Sequence, residues 1–461
     1  MKPFIDENII QSMLDDAKTS SKSMAEGVIQ KALKLEGLSL NDAAILLHND
    51  DEDILELLFS AASKIKDSIY KNRLVLFAPL YITNRCQNSC RYCAFQKDNE
   101  SLQRVSLSTE EILNQVSILL SQGHKRVLLV AGDDPVRANI EQLEGIIDAI
   151  YRFERSGSRI NRININLPPM SVDNFKRLKE AGIGTYQLFQ ETYHRETYNK
   201  MHPSGPKSDY KGRLFAMDEA ISGGIDDVGL GVLFGLYDYK FDVLALLTHA
   251  NYLERKFGFG PHTVSIPRIK PALGAQETIN PPHAVSDTDF LKLTAIIRLA
   301  IPYTGIILST RESAELRNRM FGLGISQISA GSRTGPGEYS GVSKANSEQF
   351  SLYDQRTLLD VVKEVTGRGY MPSFCTACYR SERTGERFMK LAKTASIHNY
   401  CTPNAILTFK EFIVDYGDNA LIESGKRLIN RELEKVTLPD MKSKILKGLS
   451  AIEKGKRDVY F

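Results

Sequence analysis

"VLFAPLYITNRCQNSCRYC" (75–93) runs an apolar stretch of strand length straight into three cysteines, Cys86, Cys90 and Cys93. A short run rich in branched and aromatic residues, bounded by turn formers, reads as a strand buried on both faces. Seven more such runs follow: "RVLLVA" (126–131), "RININL" (162–167), "TYQLFQ" (185–190), "VGLGVLFG" (228–235), "TVSIP" (263–267), "GIILST" (305–310) and "ISQIS" (325–329). Most of the gaps carry a helical period, as in "TEEILNQVSILLSQG" (109–123) and "SVDNFKRLKEAG" (171–182), the latter stopped by Gly182. Eight strands alternating with helices specify parallel βα units, and eight such units close a barrel. A doubly wound open sheet is the competing arrangement.

The expected fold is therefore α/β, a (β/α)8 TIM-type barrel over 75–345. Residues 1–74 precede it as a helical region, with apolar residues at helical spacing in "IIQSMLDDA" and "DILELLFSAASKIKDSI". After the eighth run, the Gly- and Ser-rich "AGSRTGPGEYSGVSKANS" (330–347) reads as loop, and 346–461 is mainly helical and carries the remaining cysteines. Its tail intersperses Lys and Glu, the pattern of a solvated helix face.

At 461 residues, 42% hydrophobic and 25% charged, the chain has ordinary globular composition. A net charge of +3 selects neither a nucleic-acid nor a membrane partner, and no stretch approaches the apolar length of a spanning helix. A cytoplasmic protein is the expectation. The six cysteines form two triplets, Cys86/Cys90/Cys93 and Cys375/Cys378/Cys401. Two odd-numbered sets make a poor disulfide framework, so metal ligation is the better reading.

A structural zinc site wants four ligands, and neither a fourth Cys nor any His lies between 75 and 123. A [4Fe–4S] cube takes one thiolate per iron, so three thiolates leave one iron open. In the second triplet, CxxC is followed after a helical stretch by Cys401, and His398 is a possible fourth zinc ligand. Spacing alone leaves zinc and an iron–sulfur cluster both open there.

CxxxCxxC after the first strand of a βα barrel, with Tyr92 before the last Cys, resembles the signature of the radical S-adenosylmethionine enzymes. The resemblance implies that the cofactor chelates the open iron and that an electron cleaves it to a 5′-deoxyadenosyl radical. "VAGDDP" (130–135) then stands where the family receives the cofactor's amino group, through Gly132, Asp133 and Asp134. The nearest subgroup has Glu at Asp133.

"CTACYR" (375–380) and "RTGERFM" (383–389), with "YQLFQETYHRETYNKMHPSGPKSDY" (186–210), resemble the [FeFe]-hydrogenase maturases of the radical SAM tyrosine lyase family. This implies cleavage of L-tyrosine to p-cresol and dehydroglycine, then carbon monoxide and cyanide formation at a second [4Fe–4S]-type cluster that can carry an extra iron. It also implies maturation proteins and an electron donor such as flavodoxin or ferredoxin as partners. A tyrosine lyase of thiamine biosynthesis and a non-catalytic iron–sulfur carrier are the alternatives. By the same resemblance Gln187 and Glu191 face the cofactor and His262 binds the extra iron, with His249 a second choice that also fits a helix face. Arg311 is the candidate clamp for the amino acid's carboxylate, because a guanidinium offers a bidentate fork, and Ser329 assists it. Arg85, Arg91 and Arg333 depart from the subgroup in being more basic.

Overall fold

The computed structural model describes residues 3–341 and 346–461. The expected loop over 330–347 therefore falls partly outside the described residues, at 342–345, as does the expected end of the barrel segment. All eight strand candidates form strands: β1 Arg73–Thr83, β2 Arg126–Ala131, β3 Arg162–Asn166, β4 Tyr186–Gln187, β5 Val228–Gly231, β6 Thr263–Ser265, β7 Gly305–Leu308 and β8 Ile325–Ser329. Every neighbouring pair is parallel and β8 returns to β1, so the sheet closes into a barrel rather than a doubly wound sheet. The strands are buried on both faces, because helices cover the outer face while the inner face lines the barrel.

Closure is staggered along the unusually long β1. Its middle pairs with β8 (Val75 with Gln327, Phe77 with Ser329), while β2 begins only at Ala78. The edge left free below β2 is taken by β9, Met371–Ser373, with Arg73 opposite Met371 and Val75 opposite Ser373. A strand from the C-terminal segment thus belongs to the barrel sheet.

Helices Glu7–Ala17, Lys22–Ala32, Leu40–His48 and Glu52–Tyr70 form the N-terminal region. Asp6, Ser21, Ser39 and Asp51 cap them with side-chain acceptors, and Ser39 and Asp42 make a capping box. Their apolar faces, including Leu46, Leu47, Leu58 and Ile65, join one core with the barrel helices. Helix Thr109–Gln122 lies between β1 and β2 as expected, and Gly182 (φ +87°) ends the helical stretch before β4. The C-terminal helices His398–Tyr416, Asn419–Glu434 and Pro439–Glu453 pack beneath the barrel, burying Ile406, Leu407, Phe409 and Ile413. Among the described residues no helix is long and apolar enough to cross a membrane.

Candidate active site

Loops at the C-terminal ends of the strands surround a cavity of about 590 Å³. Its wall includes Cys86, Cys90 and Cys93 after β1, Gly132 and Asp133 after β2, Gln187 and Glu191 at β4, Arg311 after β7 and Ser329 on β8. Residues far apart in sequence are thus gathered at the barrel end where active sites form.

The cysteine loop is pinned through its backbone. Gln87 N–H donates to Asp133 O (3.0 Å), Ser89 N–H to Ser204 O (3.1 Å) and Arg91 N–H to Met201 O (3.1 Å). Lys207 N–H donates to Asn88 Oδ1 (2.8 Å). The Tyr92 hydroxyl lies 2.7 Å from His202 Nε2, while His202 Nδ1 lies 2.7 Å from Tyr198 O. A carbonyl only accepts, so Nδ1 carries the proton and the Tyr92 hydroxyl donates to Nε2. Burial, with Lys207 and Arg213 nearby, holds His202 neutral, its pKa well below the usual range.

Gly132 has a steric reason to be glycine, since a Cβ there would stand 2.1 Å from Arg85 O. The Asp133 carboxylate is occupied by the amides of Gln87 (3.0 Å) and Asn88 (2.9 Å), which ties the turn to the cysteine loop. The Asp134 side chain is anchored differently from that of Asp133. It is buried outside the cavity wall, and its Oδ1 accepts the N–H groups of Val136 (3.1 Å) and Arg137 (3.0 Å). Its carboxylate caps the turn and holds the backbone that follows Asp133 in place.

Glu191 adopts φ +73°, strained for a non-glycine residue, and its Oε1 lies 2.6 Å from Lys207 Nζ and 3.6 Å from Arg213 Nη2. Burial alone would raise its pKa, but the two cations outweigh it and hold the carboxylate ionised. The buried Gln187 side chain also faces the cavity. Arg311 lies 3.4 Å from the centre of the Phe350 ring, and its guanidinium makes no hydrogen bond or ion pair with a described residue. A half-buried fork facing a cavity with its donors free is suited to a carboxylate. Ser329 Oγ, on the same wall, accepts Thr310 N–H at 3.2 Å. Arg85, Arg91 and Arg333 are exposed and outside the wall, with Arg91 3.3 Å from Glu277.

Lys207, Arg213, Gln349 and Phe350 line the cavity and were not singled out from sequence. "HPSGPK" (202–207) held the only signal, a turn-rich stretch ending in a lysine.

The second triplet sits at the opposite mouth. Cys375 follows β9, Cys378 is on the short helix Ala377–Arg380, and Cys401 is in the first turn of His398–Tyr416. Arg126, the first residue of β2, donates to Cys375 O at 2.7 Å and fastens this loop to the barrel floor. A hydrogen bond from the Cys401 thiol, aided by Arg383 and Arg73, lowers the Cys378 pKa to about 5, while the same bond raises that of Cys401. His262 precedes β6, stacks on Phe388 (3.9 Å) and has Nδ1 2.9 Å from Asp227 Oδ2. His249 is a buried helix-face residue, with Nδ1 2.9 Å from the Tyr193 hydroxyl and its ring 4.9 Å from that of Phe4. It belongs to the outer helical layer and is no metal candidate.

Both donor sets fit an iron–sulfur cluster. All six cysteines are free. In the first triplet burial pushes Cys90 up to about 12 and raises Cys93, so the positive charge of a thiophilic metal is what would ionise them. Among the described residues no three Cys, His, Asp or Glu side chains converge on a single-ion position.

Comparison with known proteins bears on the whole length. Residues 80–247 match the radical SAM superfamily and 265–371 the biotin and thiamin synthesis associated domain. A crystal structure of HydG, a maturase of the [FeFe]-hydrogenase, is 49% identical with a TM-score of 0.96, over 99% of this chain and 100% of that one. The chain belongs to the HydG family. A second HydG structure, from Carboxydothermus hydrogenoformans, is 41% identical with a TM-score of 0.84, over 97% of this chain and 98% of that one. The 2-iminoacetate synthase of Escherichia coli (strain K12) is 28% identical, over 78% of this chain and 92% of its own length. The associated-domain match stops at 371, just short of Cys375.

Proposed function

We propose that this chain cleaves L-tyrosine into p-cresol and dehydroglycine at the upper mouth of the barrel, and converts dehydroglycine into carbon monoxide and cyanide at the lower mouth, for the iron centre of an [FeFe]-hydrogenase. The observation that carries this reading is the Cys375/Cys378/Cys401 triplet on the floor of the same barrel whose upper mouth holds Cys86/Cys90/Cys93.

Cys86, Cys90 and Cys93 would hold a [4Fe–4S] cluster and the cavity beside them S-adenosylmethionine, which together would supply hydrogen-atom abstraction from tyrosine. The chain's residues do the rest. Gly132 and Asp133 present backbone groups to the cofactor, Tyr92 walls its pocket from a position fixed by His202, and Lys207 and Arg213 offer positive charge neutralised by Glu191. Arg311 holds the tyrosine carboxylate, and Ser329 shapes the same wall. The enclosing wall keeps water from a radical and from a hydrolysable imine.

Atoms balance across both stages. Tyrosine divides into p-cresol and dehydroglycine, and dehydroglycine into one carbon monoxide, one hydrogen cyanide and one water, without net oxidation or reduction. Hydrogen abstraction leaves the cresol fragment one electron and one proton short, so each turnover of the first stage takes two electrons, one to cleave S-adenosylmethionine and one, with a proton, to complete p-cresol; a flavodoxin- or ferredoxin-type donor is suited to both, and the product passes to other maturation proteins. Six free cysteines suit the reducing cytoplasm.

The test is anaerobic. The reconstituted chain receives tyrosine, S-adenosylmethionine and reductant, and p-cresol, carbon monoxide and cyanide are assayed together. All three products, with the two diatomics lost and p-cresol kept in Cys375→Ser/Cys378→Ser, is the expected result. Formation of p-cresol without carbon monoxide in the unaltered chain would instead make it a 2-iminoacetate synthase.

A further inference from the structure

The interior between the two mouths can be read by strand parity. Leu128, Asn166, Gln187 and Ser265 point into the upper cavity, and side chains alternate along a strand. Inward positions further down the same strands and their neighbours are then Arg126, Arg162, Thr185, Asp227, Thr263 and Gln327. TIM-type barrels ordinarily fill these layers with branched apolar residues. Here they are polar, and Gly229 and Gly305 leave gaps spanned by the ends of Thr263 and Gln327: a Cβ at either glycine would meet Thr263 Oγ1 at 2.4 Å or Gln327 Nε2 at 2.8 Å.

Arg126 donates to Cys375 O, whereas Arg162 is the cation of the set without an acceptor among the described residues. It is 9% exposed, and its guanidinium carbon lies 3.4 Å from the centre of the Tyr379 ring, adjacent in sequence to Cys378. Its Nε is buried without a partner, and the side chain makes no hydrogen bond or ion pair with a described residue. A buried guanidinium without an acceptor is expensive and calls for a ligand or water. Arg311 at the upper mouth has the same construction, stacked on Phe350 with its donors free. Each cysteine triplet therefore has beside it one ring-stacked guanidinium, buried at Arg162 and half-buried at Arg311, that lacks a carboxylate among the described residues.

Resting on the reading above, we propose that Arg162 is a second carboxylate site, receiving the two-carbon α-imino acid after scission and presenting it to the lower triplet. The chemistry is continuous, because the carboxylate that Arg311 holds in tyrosine stays on the fragment. Asp227, next to His262, is placed to face its iminium nitrogen. A fragment not held there is lost to hydrolysis: water adds to the imine carbon, the carbon–nitrogen bond breaks, and glyoxylate and ammonium leave.

Holoenzyme carrying Arg162→Gln or Arg162→Lys is assayed for iron per chain, p-cresol, carbon monoxide and glyoxylate. The expected result is p-cresol within about twofold of the unaltered chain, carbon monoxide per p-cresol down about tenfold or more in R162Q and less in R162K, and glyoxylate rising by the amount lost. Calorimetry with oxamate, a stable two-carbon analogue, should find one site in an Arg311→Gln background and none once Arg162→Gln is added. Unchanged product ratios in both variants, or oxamate binding that survives R162Q, overturns the proposal. If R162Q loses iron, R162K and the oxamate titration decide. An unaltered chain that makes p-cresol but no carbon monoxide refutes the maturase reading instead, and the oxamate result still judges Arg162.

Discussion

Replacing Arg311 by Met separates binding from folding more cleanly than any other change in the cavity. The guanidinium donates to no described group, so both arms of its fork are available to a substrate carboxylate. Two charge-assisted hydrogen bonds at about 1.5–3 kcal/mol each sum to roughly 3–6 kcal/mol. The lower figure already corresponds to a loss of about 100-fold or more in kcat/KM for tyrosine. Arg311→Lys keeps the charge but not the fork, and about tenfold is expected. The folded state loses only the stack on Phe350, about 1 kcal/mol. The assay is the initial rate of p-cresol release against tyrosine concentration, with thermal unfolding and tyrosine-free cofactor cleavage as controls. If R311M stays within about threefold of the unaltered chain, or loses activity only with stability and cofactor cleavage, Arg311 is not the carboxylate clamp.

Gly132→Ala drives a methyl group into Arg85 O, a backbone atom that yields only by moving the cysteine loop, so reconstituted iron should fall by about one cluster per chain, measured against Cys86→Ser. Lys207→Met leaves Glu191 with the more distant Arg213, which should destabilise the chain by about 3 kcal/mol; a second change, Glu191→Gln, should restore most of this in thermal or urea unfolding. Burial lowers the pKa of His124 and His249 from 6.5 to about 3. The unfolded chain binds their protons first, so this stability is present above about pH 6.5 and drains away as pH falls, by roughly 2 kcal/mol per histidine at pH 5. Urea unfolding at pH 8 and pH 5 should show the difference, and His124→Met should remove about half of it.

The barrel was legible because its strands are buried on both faces and so announce themselves as apolar runs. "MPS" (371–373) has no such run and contains a proline, which a strand tolerates at an edge, and β9 could be found only from its partner. Cys86, Cys90 and Cys93 were readable because ligand spacing is local. Lys207 and Arg213 were not, since what brings them to the cavity is Glu191, whose left-handed backbone no local pattern foretells. The side chain of Asp134 was equally unreadable: a turn-capping carboxylate and a ligand-facing one share the same Gly-Asp-Asp-Pro context, and only the N–H groups of Val136 and Arg137 show where this one goes.

The register of β9 against the lower half of β1 bears on how the molecule can be taken apart and put together. Arg73 and Met371 are paired across most of the chain's length, so this contact forms late, after the intervening units are in place. The lower cysteine loop leads directly out of that strand, and its assembly waits on barrel closure. A chain cut before Met371 would bare the backbone donors and acceptors of Arg73–Val75, a raw sheet edge prone to intermolecular pairing. Truncation is therefore a misleading way to isolate the upper chemistry, and single cysteine replacements, which leave the strand seated, are the sound one.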